Sequence, residues 1–210
     1  MCNGESPRDQ NNCKNDMKKI PTLFRREFSE GRVKIVYDEV TSGLEWVLKG
    51  EGQATVKIDG SCCAIMGGEF YRRYDAKRGK VPPAGAIPCC DPDPITGHWP
   101  HWLKVDPLNG ADNWHLAAYY NAGGRLLGDG TYEAIGPHFQ SNPHHLAFDI
   151  LEKHGIRFIK NLDRSFEGIR RYLSENEIEG IVFWKNGEPQ CKIKRSDFGF
   201  KWPVAVERKI

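Results

Sequence analysis

The chain has 210 residues, 39% hydrophobic and 28% charged, which suits one folded domain and excludes a wholly disordered chain. Thirty Lys and Arg against 28 Asp and Glu leave a net charge of +2. That balance neither demands nor excludes nucleic acid, because a groove can be basic while the total is not. Mean hydropathy is -0.59 and no apolar run approaches the ~18–20 residues of a membrane helix, so no membrane partner is expected.

Residues 1–19 are polar and rich in Asn, without periodicity, and read as a flexible tail ahead of a single domain over residues 20–210. They lack the apolar stretch of a secretory leader. Seven cysteines, an odd number with the adjacent pairs Cys62-Cys63 and Cys89-Cys90, read as reduced thiols of a cytoplasmic protein. Cys89, Cys90, His98 and His101 fit no standard zinc spacing and are taken as ordinary loop residues.

Strands are expected over 32–37 and 53–58, the second stopping at Asp59-Gly60. Two more follow over 61–66 and 69–74, broken by Gly67-Gly68. Residues 75–113, punctuated by prolines, read as a long irregular segment. It sets Lys77, Arg78, Lys80 and Lys104 beside Trp99 and Trp102, a mixture suited to tracking a nucleic-acid strand. The plainer reading is a solvated loop anchored by two tryptophans. Strands are expected over 115–120 and 131–135, and helices over 143–153 and 165–176. An apolar strand over 178–184, a turn at Asn186-Gly187 and a strand over 190–194 complete an α+β chain of mostly antiparallel sheets with flanking helices.

Three short words carry chemistry. Lys57-Ile58-Asp59-Gly60 ends a strand, with Lys57 and Asp59 on one face if the period of two persists. Alone it is a common word, equally read as a surface lysine before a turn. Ile178-Glu179-Gly180-Ile181-Val182 puts a carboxylate at the mouth of an apolar strand. Cys191-Lys192-Ile193-Lys194 puts two lysines on one face. A two-residue loop at Asn186-Gly187 would set Glu179 opposite Lys194 and Ile181 opposite Lys192, unless Pro189 shifts the register by one. A simple cross-strand ion pair would explain one of those lysines but not the second.

Together these words resemble the covalent nucleotidyltransferases, the superfamily of ATP-dependent ligases and mRNA capping enzymes. Lys57-Ile58-Asp59-Gly60 is similar to the nucleotidyl-lysine motif, Tyr132-Glu133-Ala134-Ile135-Gly136 to motif III, Glu179-Gly180 to motif IV and Lys192-Ile193-Lys194 to motif V. The resemblance runs from about Ile20 to Pro203 and is strongest to the RNA ligase type of animal cells. That type is similar in Ser61-Cys62-Cys63 after the lysine motif, in the Ile-Glu-Gly-Ile-Val word, and in an ending like Gly199-Phe200-Lys201-Trp202-Pro203.

The resemblance implies a nucleotidyltransferase domain, an ATP-grasp-like ligase adenylation fold. It implies an enzyme that uses ATP and Mg2+ (or Mn2+) to join an RNA 5′-phosphate to a 3′-hydroxyl through a lysyl-AMP at Lys57. Asp59 would orient that lysine or assist the 3′-hydroxyl. Glu133 would accept from a ribose hydroxyl, and Glu179 would be the metal ligand. Lys192 and Lys194 would neutralise phosphates and lower the pKa of the attacking amine from its usual ~10.4. Arg73 is the chosen arginine for the ribose or the RNA 5′-phosphate, with Arg72 and Arg78 as rivals. Phe148 is the chosen adenine stacker, with Phe139 second. Sixteen residues follow Lys194, too few for the OB domain of DNA ligases and capping enzymes, so no OB domain is expected. The long loop and the basic residues Lys18, Lys19, Arg25 and Arg26 are then candidates for holding the RNA. A GTP-dependent capping guanylyltransferase, a DNA ligase and an inactive RNA-end-binding module are the alternatives.

Overall fold

The structure, a computed structural model, describes residues 19–29 and 31–204. The expected N-terminal tail lies outside the described residues apart from Lys19. The elements are β1 (Phe24–Ser29), β2 (Arg32–Val40), β3 (Gln53–Lys57), β4 (Ser61–Met66), β5 (Glu69–Ala76), β6 (Ile87–Pro88), β7 (Trp99–Lys104), α1 (Asn113–Asn121), β8 (Gly130–Ile135), β9 (Ile150–Lys153), α2 (Phe166–Glu175), β10 (Gly180–Lys185) and β11 (Glu188–Lys194). They form a β1–β2 ribbon, a three-stranded sheet in the order β11–β10–β3 and a six-stranded sheet in the order β6–β7–β5–β4–β8–β9. Every ladder is antiparallel, so the architecture is mixed, mostly antiparallel and poor in helix.

Strand alternation dictates the first core. Ala54, Ile181, Phe183, Cys191 and Ile193 leave the same face of the three-stranded sheet. They are buried with Leu23, Phe24 and Val47 against Ile169 and Leu173 of α2. Phe166, Ile169 and Leu173 recur at helical spacing, and the Ser165 hydroxyl accepts from the Gly168 N–H to cap the helix. The opposite face of this sheet carries Lys57, Lys192 and Lys194, with Val182 and Thr55 between them.

The β10–β11 turn is the tight one its sequence signals, with Asn186 and Gly187 both at positive φ. The register beyond it differs from the simple expectation. Pairing shifts by one residue between Trp184↔Pro189 and Phe183↔Cys191, so Gly180, not Glu179, lies opposite Lys194. Lys192 lies opposite Val182 rather than Ile181. The shift lies next to Pro189, which has no N–H for the ladder.

The second core lies between the six-stranded sheet and α1. Cys63, Ile65, Phe70, Tyr132, Ala134 and Leu151 pack on Ala118 and Tyr119. Residues 115–120, read from sequence as a strand, are therefore helical. Leu116 with Tyr119 and Ala118 with Ala122 supply the helix spacing that short aromatic runs obscure. Residues 143–153, expected as a helix, instead finish a loop and enter β9. Gln140, Ser141, Asn142 and His145 all have positive φ there, and Asn142 ties the loop shut by side-chain bonds to both backbone groups of Leu146. Within the proline-rich segment, β7 is a full strand against β5, and Trp102 is buried beside Cys62, Ala64 and Cys89.

Residues 58–60 join the two sheets. The turn passes so close to β8 that a Cβ on Gly60 would lie 2.2 Å from the Ala134 carbonyl oxygen and 2.9 Å from Cγ of Glu133. Only glycine fits that approach.

Candidate active site

The antiparallel register sets Lys57, Gly180 and Lys194 in one row across three neighbouring strands. The missing side chain at Gly180 leaves the two lysines flanking bare backbone, and a Cβ there would sit 2.4 Å from the Ile193 carbonyl oxygen. Glu179, one residue before β10, turns its carboxylate onto both amines. Lys57 Nζ donates to Oε2 at 2.5 Å, and Lys194 Nζ lies 2.8 Å from Oε1. Glu179 is 7% exposed at its side chain, whereas Lys57 and Lys194 keep 22% and 35%. The carboxylate is thus inside the cluster, and both amines remain reachable.

Lys192 stands one row away, opposite Val182. Among the described residues its ammonium has no ion-pair partner within 4 Å. Burial, reinforced by the positive charges of Lys57 and Lys194, lowers its pKa from 10.5 to about 8. Three lysines around one carboxylate make a surface with excess positive charge, which suits a polyanion.

β3 stops at Lys57, so the strand period does not carry through to Asp59. Asp59 is placed by other groups. Trp202 Nε1 donates to Asp59 Oδ2 at 2.7 Å. His144 Nε2 contacts the Asp59 carbonyl oxygen at 2.9 Å and the Asp59 N–H at 3.3 Å. Gln140 Nε2 donates to the Gly60 carbonyl at 3.3 Å. The loop after β8 and the segment carrying Gly199 to Pro203 therefore meet at the turn that follows Lys57. His144 and Gln140 were not singled out in the sequence, where they are ordinary polar loop residues.

Glu133 sits on β8 opposite Cys62, against the Gly60 turn. Its Oε2 lies 2.8 Å from His154 Nε2, a partner that no motif signals. Of the three arginines, Arg73 shares the Glu133 side of the sheet, pairs with Asp75 at 2.9 Å and lies within the electrostatic reach of Glu133. Arg72 points to the helix side, where it pairs with buried Asp112 at 2.5 Å. Arg78 is exposed in the loop that follows β5. Phe148 is 58% exposed and lies on a loop rather than on the expected helix, while Phe139 is buried in the α1 core. Cys62 and Cys63 are buried, which pushes both thiols well above their usual range and makes them poor nucleophiles.

Several other residues singled out in the sequence have partners within the fold. Trp102 is core, Trp99 donates to the Cys90 carbonyl at 2.7 Å, and Lys104 pairs with Glu69 at 2.9 Å. Lys19 pairs with Asp93, Arg26 with Asp197 and Arg25 with Glu39; Lys18 lies outside the described residues. Among the described residues no group of three His, Cys, Asp or Glu is arranged to hold a metal, and no helix is long and apolar enough to cross a membrane. Two cavities of about 370 and 350 Å3 lie elsewhere. One is between β2, α2 and Phe198, the other beside the Asn186-Gly187 turn, and Lys57 lines neither.

No protein-family profile matches the chain. It is similar to RNA ligase 1 of Danio rerio, at 30% identity over 140 residues that cover 52% of this chain and 43% of that protein. The chain therefore spans less than half the length of the relative it matches.

Proposed function

We propose that this chain is an ATP-dependent RNA ligase that works through a lysyl-AMP on Lys57. The reading is carried by the Lys57–Glu179–Lys194 ion-pair cluster, and the likeness to RNA ligase 1 gives it a substrate class. In the first step Lys57 Nζ attacks the α-phosphorus of ATP; an N–P bond forms and pyrophosphate leaves. The AMP then passes to an RNA 5′-phosphate, and a 3′-hydroxyl displaces it to seal the strand.

Each side chain has a task in that reading. A protonated amine has no lone pair to give, so Lys57 must shed a proton. Lys192 and Lys194 receive the phosphate oxygens. Glu179 fixes the amine in line, and as a single carboxylate it fits a Mg2+ (or Mn2+) that arrives on the triphosphate rather than a metal held by the protein alone. Such an ion would neutralise phosphate charge. Glu133, steadied by His154, is left with Oε1 for a ribose hydroxyl. Arg73 is assigned to the ribose or RNA 5′-phosphate, Phe148 to adenine, and Asp59 to the geometry of the Lys57 turn.

Intact mass after incubation with ATP and magnesium tests the reading. A gain of one AMP is expected, absent in Lys57→Ala and equally absent in Lys57→Arg, whose guanidinium stays protonated. An adduct surviving in either variant would refute the assignment of Lys57. A label acquired only from GTP would point to the capping alternative. No label from either nucleotide would leave an RNA-end-binding module.

A further inference from the structure

A second polar cluster is used by nothing above. His138, in the loop after β8, is held twice by Asp149. Its Nδ1 lies 2.7 Å from Oδ2, and its backbone N–H donates to Oδ1 at 3.1 Å. Asp149 is 5% exposed, so the carboxylate is an internal anchor. With Nδ1 engaged, Nε2 is the ring's remaining nitrogen, and it has no hydrogen-bond partner among the described residues. The His138 side chain is 38% exposed. Its imidazole lies flat on the indole of Trp114, with centroids 3.4 Å apart and planes 5° apart. Trp114 is 50% exposed, so half of its surface stays open to solvent beside the stacked imidazole.

Closing the loop does not require this arrangement. Asn142 already does so through its two bonds to Leu146, and Asp149 would hold the loop through the His138 N–H alone. An oriented imidazole edge beside a half-exposed indole is instead suited to a nucleotide. Every base has a π-face for the indole, and a ribose or phosphate oxygen meets the nitrogen. The location agrees. Trp114 precedes His115, whose Nε2 lies 3.3 Å from the Ser61 hydroxyl. Gln140, two residues after His138, holds the Gly60 carbonyl. His115 and Gln140, close to the pair in the chain, thus contact Ser61 and Gly60, two residues at and just after the end of the lysine motif.

We infer that Trp114 and His138 seat a nucleotide of the RNA strand near its reacting end, with a base on the exposed surface of Trp114 and a ribose or phosphate oxygen at His138 Nε2. The choice of RNA as ligand rests on the function proposed above. The seat itself is read by binding, not by ligation. The probe is a 3′-labelled, 5′-phosphorylated RNA of about 12 nucleotides, followed by fluorescence anisotropy with the full chain and no ATP. Trp114→Ala should weaken binding about tenfold, and Trp114→Phe should recover most of that loss. His138→Ala should weaken it severalfold. Wild-type affinity in both alanine variants would overturn the inference, as would a Trp114→Phe variant no better than Trp114→Ala. Adduct formation from ATP is scored separately, so its failure in the wild-type chain would strike the Lys57 reading and leave the RNA measurement intact.

Discussion

The two main sheets bury one face each and use the other differently. The three-stranded sheet turns an unbroken apolar face to α2 and gives its other face to lysines around one buried carboxylate. The six-stranded sheet packs on α1, and its second face is half core, with Cys62, Ala64, Cys89 and Trp102 beside Glu133 and Arg73. Charge of one sign is thus concentrated on the small sheet, while the large sheet pairs its polar groups, Glu133 with His154 and Arg73 with Asp75. An excess of unbalanced cations prepares a surface for phosphate; satisfied polar pairs prepare one for oriented hydrogen bonds. In the proposed reaction these are the two needs of a nucleotide, and the turn at residues 58–60 sets them side by side.

That turn is where the comparison is most easily broken. Gly60→Ala places a methyl 2.2 Å from the Ala134 carbonyl oxygen, against backbone that cannot yield cheaply. A loss of about 2–3 kcal/mol is expected, or about 4–12 °C in Tm, measured by thermal unfolding. A Tm within a degree of wild type would mean that the sheets are not held this closely. Removing the carboxylate of the small sheet comes next. Glu179→Gln leaves the Lys57 and Lys194 ammoniums without their shared counter-charge, at a cost of about 1–2 kcal/mol because both lysines are partly solvated. In the proposed reaction it should also slow adduct formation by about 100-fold or more, measured by intact mass against time.

An effect on pH dependence sharpens the contrast in charge. Lys192 has its pKa lowered to about 8 in the fold, against 10.5 as the ordinary value. Between those values the unfolded chain holds more protons than the folded one, so Lys192 makes stability rise as pH increases from about 8 to 10.5. Below pH 8 both states are protonated, and its unfavourable contribution is fully present. Lys192→Met should flatten that slope and raise stability most below pH 8, as measured by urea titrations across the range. An unchanged slope in the variant would assign the pH dependence to another group.

Much of this was legible in the sequence because it is local. The Asn186-Gly187 hairpin, the α2 stripe of Phe166, Ile169 and Leu173, and the strands on either side of Gly67-Gly68 follow from turn chemistry and periodicity. The α1 segment misled because six residues with two tyrosines satisfy a strand pattern as readily as a helix, and only the sheet beneath Ala118 and Tyr119 decides. β7 was hidden by Pro100, and the loop that replaces the helix expected over 143–153 by the absence of any sequence mark for the positive φ of Gln140, Ser141, Asn142 and His145. His154 and His138 could not be foreseen, since their partners Glu133 and Asp149 lie 21 and 11 residues away.

The sequence alone picked out the side chains to which the proposed chemistry is assigned, because Lys57, Glu133, Glu179, Lys192 and Lys194 sit in short words whose order does not depend on folding. The tertiary structure alone decided that Glu179 bridges Lys57 and Lys194, that Arg73 rather than Arg72 shares the side of Glu133, and that Asp59 is held by Trp202. The physical reason is that a ladder register, one bulge beside Pro189 and a glycine-narrow passage at Gly60 set distances between residues far apart in the chain.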